Sequence, residues 1–195
     1  MGDYFQTIVD LDATERDAQE LGARVLDWLI AEGIVAAERT DCVLGGDGYG
    51  HAPGPHFTKA VDDPDPVDLW SNGLHVQTGR TVFDSGQGDV GAATCPLCRT
   101  EIRLVDEVWE PIESAWDPFE GRFQEWAEEG GEGIVHCPSC ARPSGIDRWS
   151  WENDYYACGQ LGFTFWGWAE LTSDFTREVG RRLGGHRTVL LAGKL

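Results

Sequence analysis

Positive charge is what this chain has least of. Its 15 Lys and Arg face 34 Asp and Glu, a formal net charge of -19 at pH 7, and lysine occurs only at Lys59 and Lys194. A surface that grips nucleic acid must neutralise phosphates with Lys and Arg, so this balance argues against a nucleic-acid partner. The excess of arginine over lysine reads as GC-rich coding rather than as function. Long apolar runs are missing too: nothing approaches the roughly 18 residues of a membrane span. Met1 to Leu11 carries no basic segment ahead of an uninterrupted apolar stretch, so no secretory signal is expected. A cytoplasmic protein that stays off the membrane follows as the expectation. In that reducing setting paired cysteines read as metal ligands before they read as disulfides, and 195 residues can bury a core without cross-links.

Four of the six cysteines stand in two matching pairs, Cys95-Pro96-Leu97-Cys98 and Cys137-Pro138-Ser139-Cys140. Each pair offers two thiolates at the bite of one tetrahedral ion, and together they complete a closed four-thiolate site for one structural zinc per chain. His136 abuts Cys137, but four sulfurs already fill the coordination sphere. These knuckles resemble those of zinc ribbons and rubredoxins, in which Cys-Pro-x-Cys recurs. The pattern departs from a compact ribbon in that 38 residues separate Cys98 from Cys137, against roughly 15 to 20. An insertion must therefore lie between the two halves. Rubredoxin knuckles carry glycine after the second cysteine, whereas Arg99 and Ala141 follow here, which places iron behind zinc. The opening Tyr4-Phe5-Gln6-Thr7-Ile8-Val9-Asp10-Leu11-Asp12 and the closing Gly193-Lys194-Leu195 resemble those of a group of bacterial proteins to which no activity is assigned. That second resemblance implies no catalytic residue and no substrate.

Around the knuckles the periodicities alternate between strand and helix. Tyr4 to Leu11 reads as a strand with Phe5, Val9 and Leu11 on one face. Asp12 and Glu15 then form a capping-box signature, and Ala18, Leu21, Val25, Trp28 and Leu29 follow at helical spacing until Gly33. Ile34 to Leu44 reads as a strand, and Leu74 to Phe83 as a hairpin about Gly79. Leu161, Phe163 and Phe165 alternate as a strand. Phe175, Val179 and Leu183 mark a helix begun near Thr172 or Ser173 and stopped at Gly184-Gly185, and Thr188 to Ala192 makes a last strand. Two strand-helix-strand units of this kind predict an α+β fold, ferredoxin-like or a relative, with an inserted zinc-ribbon-like module. The divisions expected are residues 1–94 for the first unit and its hairpin, 95–140 for the metal module and its helical insertion, and 141–195 for the second unit. The expected core is Phe5, Val9, Leu21, Val25, Trp28, Phe163, Phe165, Phe175, Val179 and Leu183.

The charge is uneven, with balances of -12 over 1–94, -8 over 95–140 and +1 over 141–195. Within the acidic insertion, Asp117-Pro118-Phe119-Glu120 predicts a helix start. Trp109, Ile112, Trp116, Phe119, Phe123 and Trp126 continue an apolar spacing that is either core or a face for a protein partner, a basic one given the charge. Arg142, Arg148, Trp149 and Trp151 interleave cations with flat rings and could hold an anion or stack a base. His51 and His56 sit in the loop of Gly45–Gly50 with Asp62, Asp63 and Asp65 nearby, a conceivable hydrolytic metal site. The glycine loop itself lacks the Lys-Ser or Lys-Thr ending of a phosphate loop. Cys42 and Cys158 read as small core residues. Three functions thus stand open. The first is a non-enzymatic zinc protein with an adaptor- or immunity-like role; the others are a metal-dependent hydrolase on the His51/His56 loop and a nucleotide or single-strand binder on the Arg142–Trp151 segment. Charge and motif together favour the first.

Overall fold

Alternation of Phe5, Thr7 and Val9 with Gln6, Ile8 and Asp10 makes a strand that both faces of the protein bury. It lies second from one edge of the main sheet in the computed structural model, which describes residues 3–63 and 69–195. In chain order the elements are β1 (Tyr4–Asp10), α1 (Ala18–Ala31), β2 (Val35–Thr40), β3 (Gly50–Pro53), β4 (Gly73–Asp84), β5 (Ala92–Thr94), β6 (Glu101–Arg103), α2 (Glu113–Trp116), α3 (Arg122–Ala127), β7 (Ile134–His136), β8 (Pro143–Gly145), β9 (Ser150–Trp151), β10 (Tyr156–Trp166), α4 (Ser173–Arg182) and β11 (Thr188–Lys194). The fold is mixed α and β, with few helices. Six strands pair antiparallel in the order β11-β1-β10-β4-β3-β2, beside a three-stranded sheet β6-β5-β9 and a two-stranded sheet β7-β8. Among the described residues no helix is long and apolar enough to cross a membrane.

The main core forms where α1 and α4 cover one face of the large sheet. Leu21, Val25 and Leu29 of α1 and Phe175, Val179 and Leu183 near α4 meet Ile8, Leu74, Leu161, Phe163 and Phe165. Ile8, absent from the expected core, sits opposite Phe163 across the β1–β10 ladder. Phe5 and Val9 alternate to the far face, where Phe5 packs with Cys42, Val43 and Trp166, and Val9 with Phe83, Ala157 and Leu191. Thr172 caps α4 by accepting the Phe175 amide at 3.1 Å.

Several local expectations give way to longer-range pairing. Leu74 to Phe83 is no hairpin but the centre of the single strand β4, because β10 supplies a full-length partner. Gly79, at φ 99°, is used instead for an irregularity where the β10 register slips between Gly159 and Leu161. Asp12 and Glu15 form no capping box. The buried Asp10 carboxylate accepts the amides of Asp12 and Ala13, and α1 starts only at Ala18. The second strand stops at Thr40. Asp117 closes α2 rather than opening a helix, and α3 begins after Gly121, whose φ of 71° turns the chain. Finally, β8 pairs with β7 and β9 with β5, so strand pairing ties the chain as far as Trp151 to the two cysteine hairpins.

Candidate metal centre

Each Cys-Pro-x-Cys segment is the tip of a short hairpin. Thr94 faces Glu101 across β5–β6, and His136 faces Pro143 across β7–β8, so each knuckle is gripped by its own ladder. The two tips are built alike. The Arg99 amide donates to the Cys95 carbonyl at 3.0 Å and the Cys95 amide to the Thr100 carbonyl at 3.0 Å. In the second tip, Ala141 donates to Cys137 at 2.8 Å and Cys137 to Arg142 at 3.2 Å. Closing the turn this way places Arg99 at φ 62° and Ala141 at φ 57°, the left-handed region that glycine occupies at less cost. The Leu97 amide points at the Cys95 sulfur from 3.4 Å.

The four Sγ atoms of Cys95, Cys98, Cys137 and Cys140 lie within 4.8 Å of one another, and Cys98 Sγ is 3.7 Å from Cys137 Sγ. Sulfurs bound at about 2.3 Å around one tetrahedral ion stand about 3.8 Å apart, so the donor set fits a single ion with no position left open. None of the four is in a disulfide. Hydrogen bonds from Thr100, that of its side chain first and that of its backbone second, hold the Cys98 thiol down at about 6, and the Arg142 backbone and side chain lower Cys140. Burial pushes Cys137 up to about 11. Thr100 Oγ1 and Ser139 Oγ meet at 3.3 Å across the two tips.

Beneath the sulfurs lies a second core, which holds Cys95 and Cys137 together with Leu104, Phe119, Trp126, Val135, Ile146, Trp149 and Trp151. Phe119 packs edge-on to Trp149 with ring centres 4.9 Å apart, and Trp149 Nε1 donates to Ser144 Oγ at 2.9 Å. Trp149 and Trp151 are each 5% exposed and present no free ring face for a base. Arg142 turns to the knuckles, donating to Leu97, while Arg148 is exposed. The six insertion aromatics and aliphatics divide: Phe119 and Trp126 are 2% and 6% exposed, Ile112, Trp116 and Phe123 are half-buried, and Trp109 is 60% exposed.

The two loop histidines do not meet. His51 is buried with Nδ1 2.8 Å from the Ala36 carbonyl, whereas His56 Nδ1 lies 3.0 Å from the Glu32 carbonyl. Asp65 lies outside the described residues. Among the described residues the four cysteines are the sole group of three or more His, Cys, Asp or Glu close enough to share an ion, and neither His51 nor His56 belongs to such a group. His136 is exposed beside the site. Cys42 and Cys158 are buried in apolar surroundings. No periodicity pointed to Val108, which is 73% exposed beside Trp109. The one signal available was Asp106, whose side chain accepts the amides of Val108 and Glu110 at 2.9 Å each and so ties the turn that displays both residues. No family model matches the chain, and neither a curated protein nor a solved structure is significantly similar to it.

Proposed function

We propose that this is a non-enzymatic cytoplasmic protein in which one structural zinc, held by Cys95, Cys98, Cys137 and Cys140, sets up an acidic, aromatic surface for a basic protein partner. A closed thiolate sphere supports a structural ion, since it leaves no position for water or substrate. Zinc is preferred to iron because neither knuckle has the glycine that follows the second cysteine in rubredoxins. The order β11-β1-β10-β4, with α1 and α4 on one face, supports a ferredoxin-like frame extended by β3 and β2, into which residues between β4 and β10 are inserted.

The observation that carries the partner reading is the pair Val108 and Trp109, 73% and 60% exposed. Nearby in sequence, Pro111, Trp116, Phe119 and Phe123 line a groove of about 600 Å³ whose rim includes Glu113, Asp117 and Glu120. None of those three carboxylates is in an ion pair among the described residues. Exposed aromatic anchors with an unpaired acidic rim suit a cationic partner, the rim speeding encounter and the rings supplying the affinity. The Arg142–Trp151 segment and the His51/His56 loop offer no such combination.

Two measurements test this. Elemental analysis of protein purified without chelator should return one zinc per chain. Affinity capture from the native cell should retain a basic protein on the wild type and lose it on Trp109→Ala with an unchanged melting temperature. Identical capture by both would remove the partner reading while leaving the metal reading intact.

A further inference from the structure

Arginines in so acidic a chain should find carboxylates easily, and nearly all of them do, or are held by backbone carbonyls. Of the thirteen, only Arg16, Arg99 and Arg148 make no side-chain hydrogen bond or ion pair among the described residues. Two of those three line one cleft. Arg99 reaches it from the first knuckle, Arg148 from the segment between β8 and β9, and Arg187 from the turn before β11. Arg187 already pairs with Asp12 at 2.6 Å and is 75% exposed. The cleft encloses about 430 Å³ between the metal-bearing hairpins and the main sheet, with Asp147 and Asp154 also on its wall.

We propose that this cleft binds a small phosphate ester that also carries hydroxyl or amino groups. Free guanidinium forks match the oxygens of a phosphate and bind it through charge-assisted hydrogen bonds. The two aspartates would repel a bare anion, but they accept from hydrogen-bond donors on the rest of such a molecule. A volume of this size suits a metabolite-sized ligand. A nucleic-acid strand would extend beyond the cleft onto a surface whose net charge opposes it. The site differs from the Arg142–Trp151 segment suggested by sequence. Arg142 is engaged elsewhere, Trp149 and Trp151 contribute walls rather than stacking faces, and Arg99 joins from a distant part of the chain.

The test is titration calorimetry on the full, metal-loaded chain with inorganic phosphate, glycerol phosphate and a single-stranded oligonucleotide. Saturable binding of phosphate is expected, tighter for glycerol phosphate, with each of Arg99→Gln and Arg148→Gln weakening it about tenfold, the effect of about 1.4 kcal/mol. Arg16→Gln, the unpaired arginine outside the cleft, should change nothing, and Asp154→Asn should erase the preference for glycerol phosphate. Metal content measured on every variant separates a lost contact from a damaged knuckle. The proposal fails if phosphate does not saturate, if Arg16→Gln weakens binding as much as Arg148→Gln, or if the oligonucleotide binds more tightly than glycerol phosphate.

Discussion

Arg142 donates a 2.7 Å hydrogen bond to the carbonyl of Leu97, which fastens a residue just past the second knuckle to the middle of the first. Its side chain also helps hold Cys140 below the ordinary thiol range. Such a link acts on the ligands rather than on the ion, and outer partners of metal ligands set affinity by about 10- to 100-fold. Arg142→Ala should therefore weaken metal binding about tenfold in competition with a chromophoric chelator, while the circular dichroism of α1 and α4 stays unchanged. Unaltered competition would mean that the Thr100–Ser139 contact is enough to hold the tips together.

The left-handed residues after each knuckle lead to a gain of stability. Ala141 at φ 57° gains nothing from its side chain in that position, and glycine would relieve about 1 kcal/mol of strain. Part of this is offset by the freer unfolded chain that glycine brings. Ala141→Gly should then raise the denaturant midpoint of the metal-loaded protein modestly. A lowered midpoint would show that the turn holds no strain for glycine to release.

Trp109 and Trp126 belong to one apolar spacing in the sequence but to opposite environments in the fold. Trp126 is 6% exposed, with the Arg80 guanidinium over its ring at 5.1 Å. Emptying such a site costs about 3 to 5 kcal/mol. Trp109→Ala, at a 60% exposed position, should change stability by less than about 0.5 kcal/mol. Denaturant melts of the two variants check the difference directly, and equal losses would contradict the placement of Trp109.

How much of this was legible before the structure depends on the range of the interaction. Cys95, Cys98, Cys137 and Cys140 declare themselves through a spacing that needs only four residues at a time. The helical stripes of Val25 and Val179 are equally local. Gly79 is ambiguous in the sequence because a glycine between two β-rich runs looks the same whether it turns a hairpin or relieves a long strand, and β10, some 80 residues away, decides which. Strand β9 is two residues long, too short for any period, and it is the pairing of Ser150 and Trp151 with β5 that brings Trp151 into the core beneath the four cysteines. The convergence of Arg99 and Arg148 was likewise invisible, because tertiary packing alone brings them together.

That shared core changes what metal removal should do. Cys95 and Cys137 pack with Trp149 and Trp151, so losing the ion should loosen β5 to β9 as a unit, beyond Cys140. The α1 and α4 core has its own apolar residues and should persist. Hydrogen exchange after chelation should show fast amides from about Ala92 to Trp151 and protected amides in β1 and α1. Protection lost everywhere at once would mean that the two cores fold as one cooperative unit.

The final expectation concerns alkaline pH. Burial, with a smaller contribution from the Asp147 charge, pushes the Cys158 thiol from 9.0 to about 12. An acid whose folded value is raised contributes stability that is complete below its unfolded value and is lost as pH climbs through the folded one. Between about pH 9 and 12 the unfolded chain releases a proton that the folded chain keeps, so stability should fall by up to about 1.4 kcal/mol per pH unit on this account. Tyr156, also raised to about 12 by burial, adds to the fall in wild type and variant alike. Cys158→Ala removes the thiol and leaves a cavity the size of one sulfur, so the variant starts somewhat less stable at pH 8 but declines less steeply towards pH 11. Urea unfolding across that range compares the two slopes. Parallel profiles would show that the Cys158 thiol ionises as freely in the folded protein as in the unfolded chain, against its burial in the core beneath the cysteine hairpins.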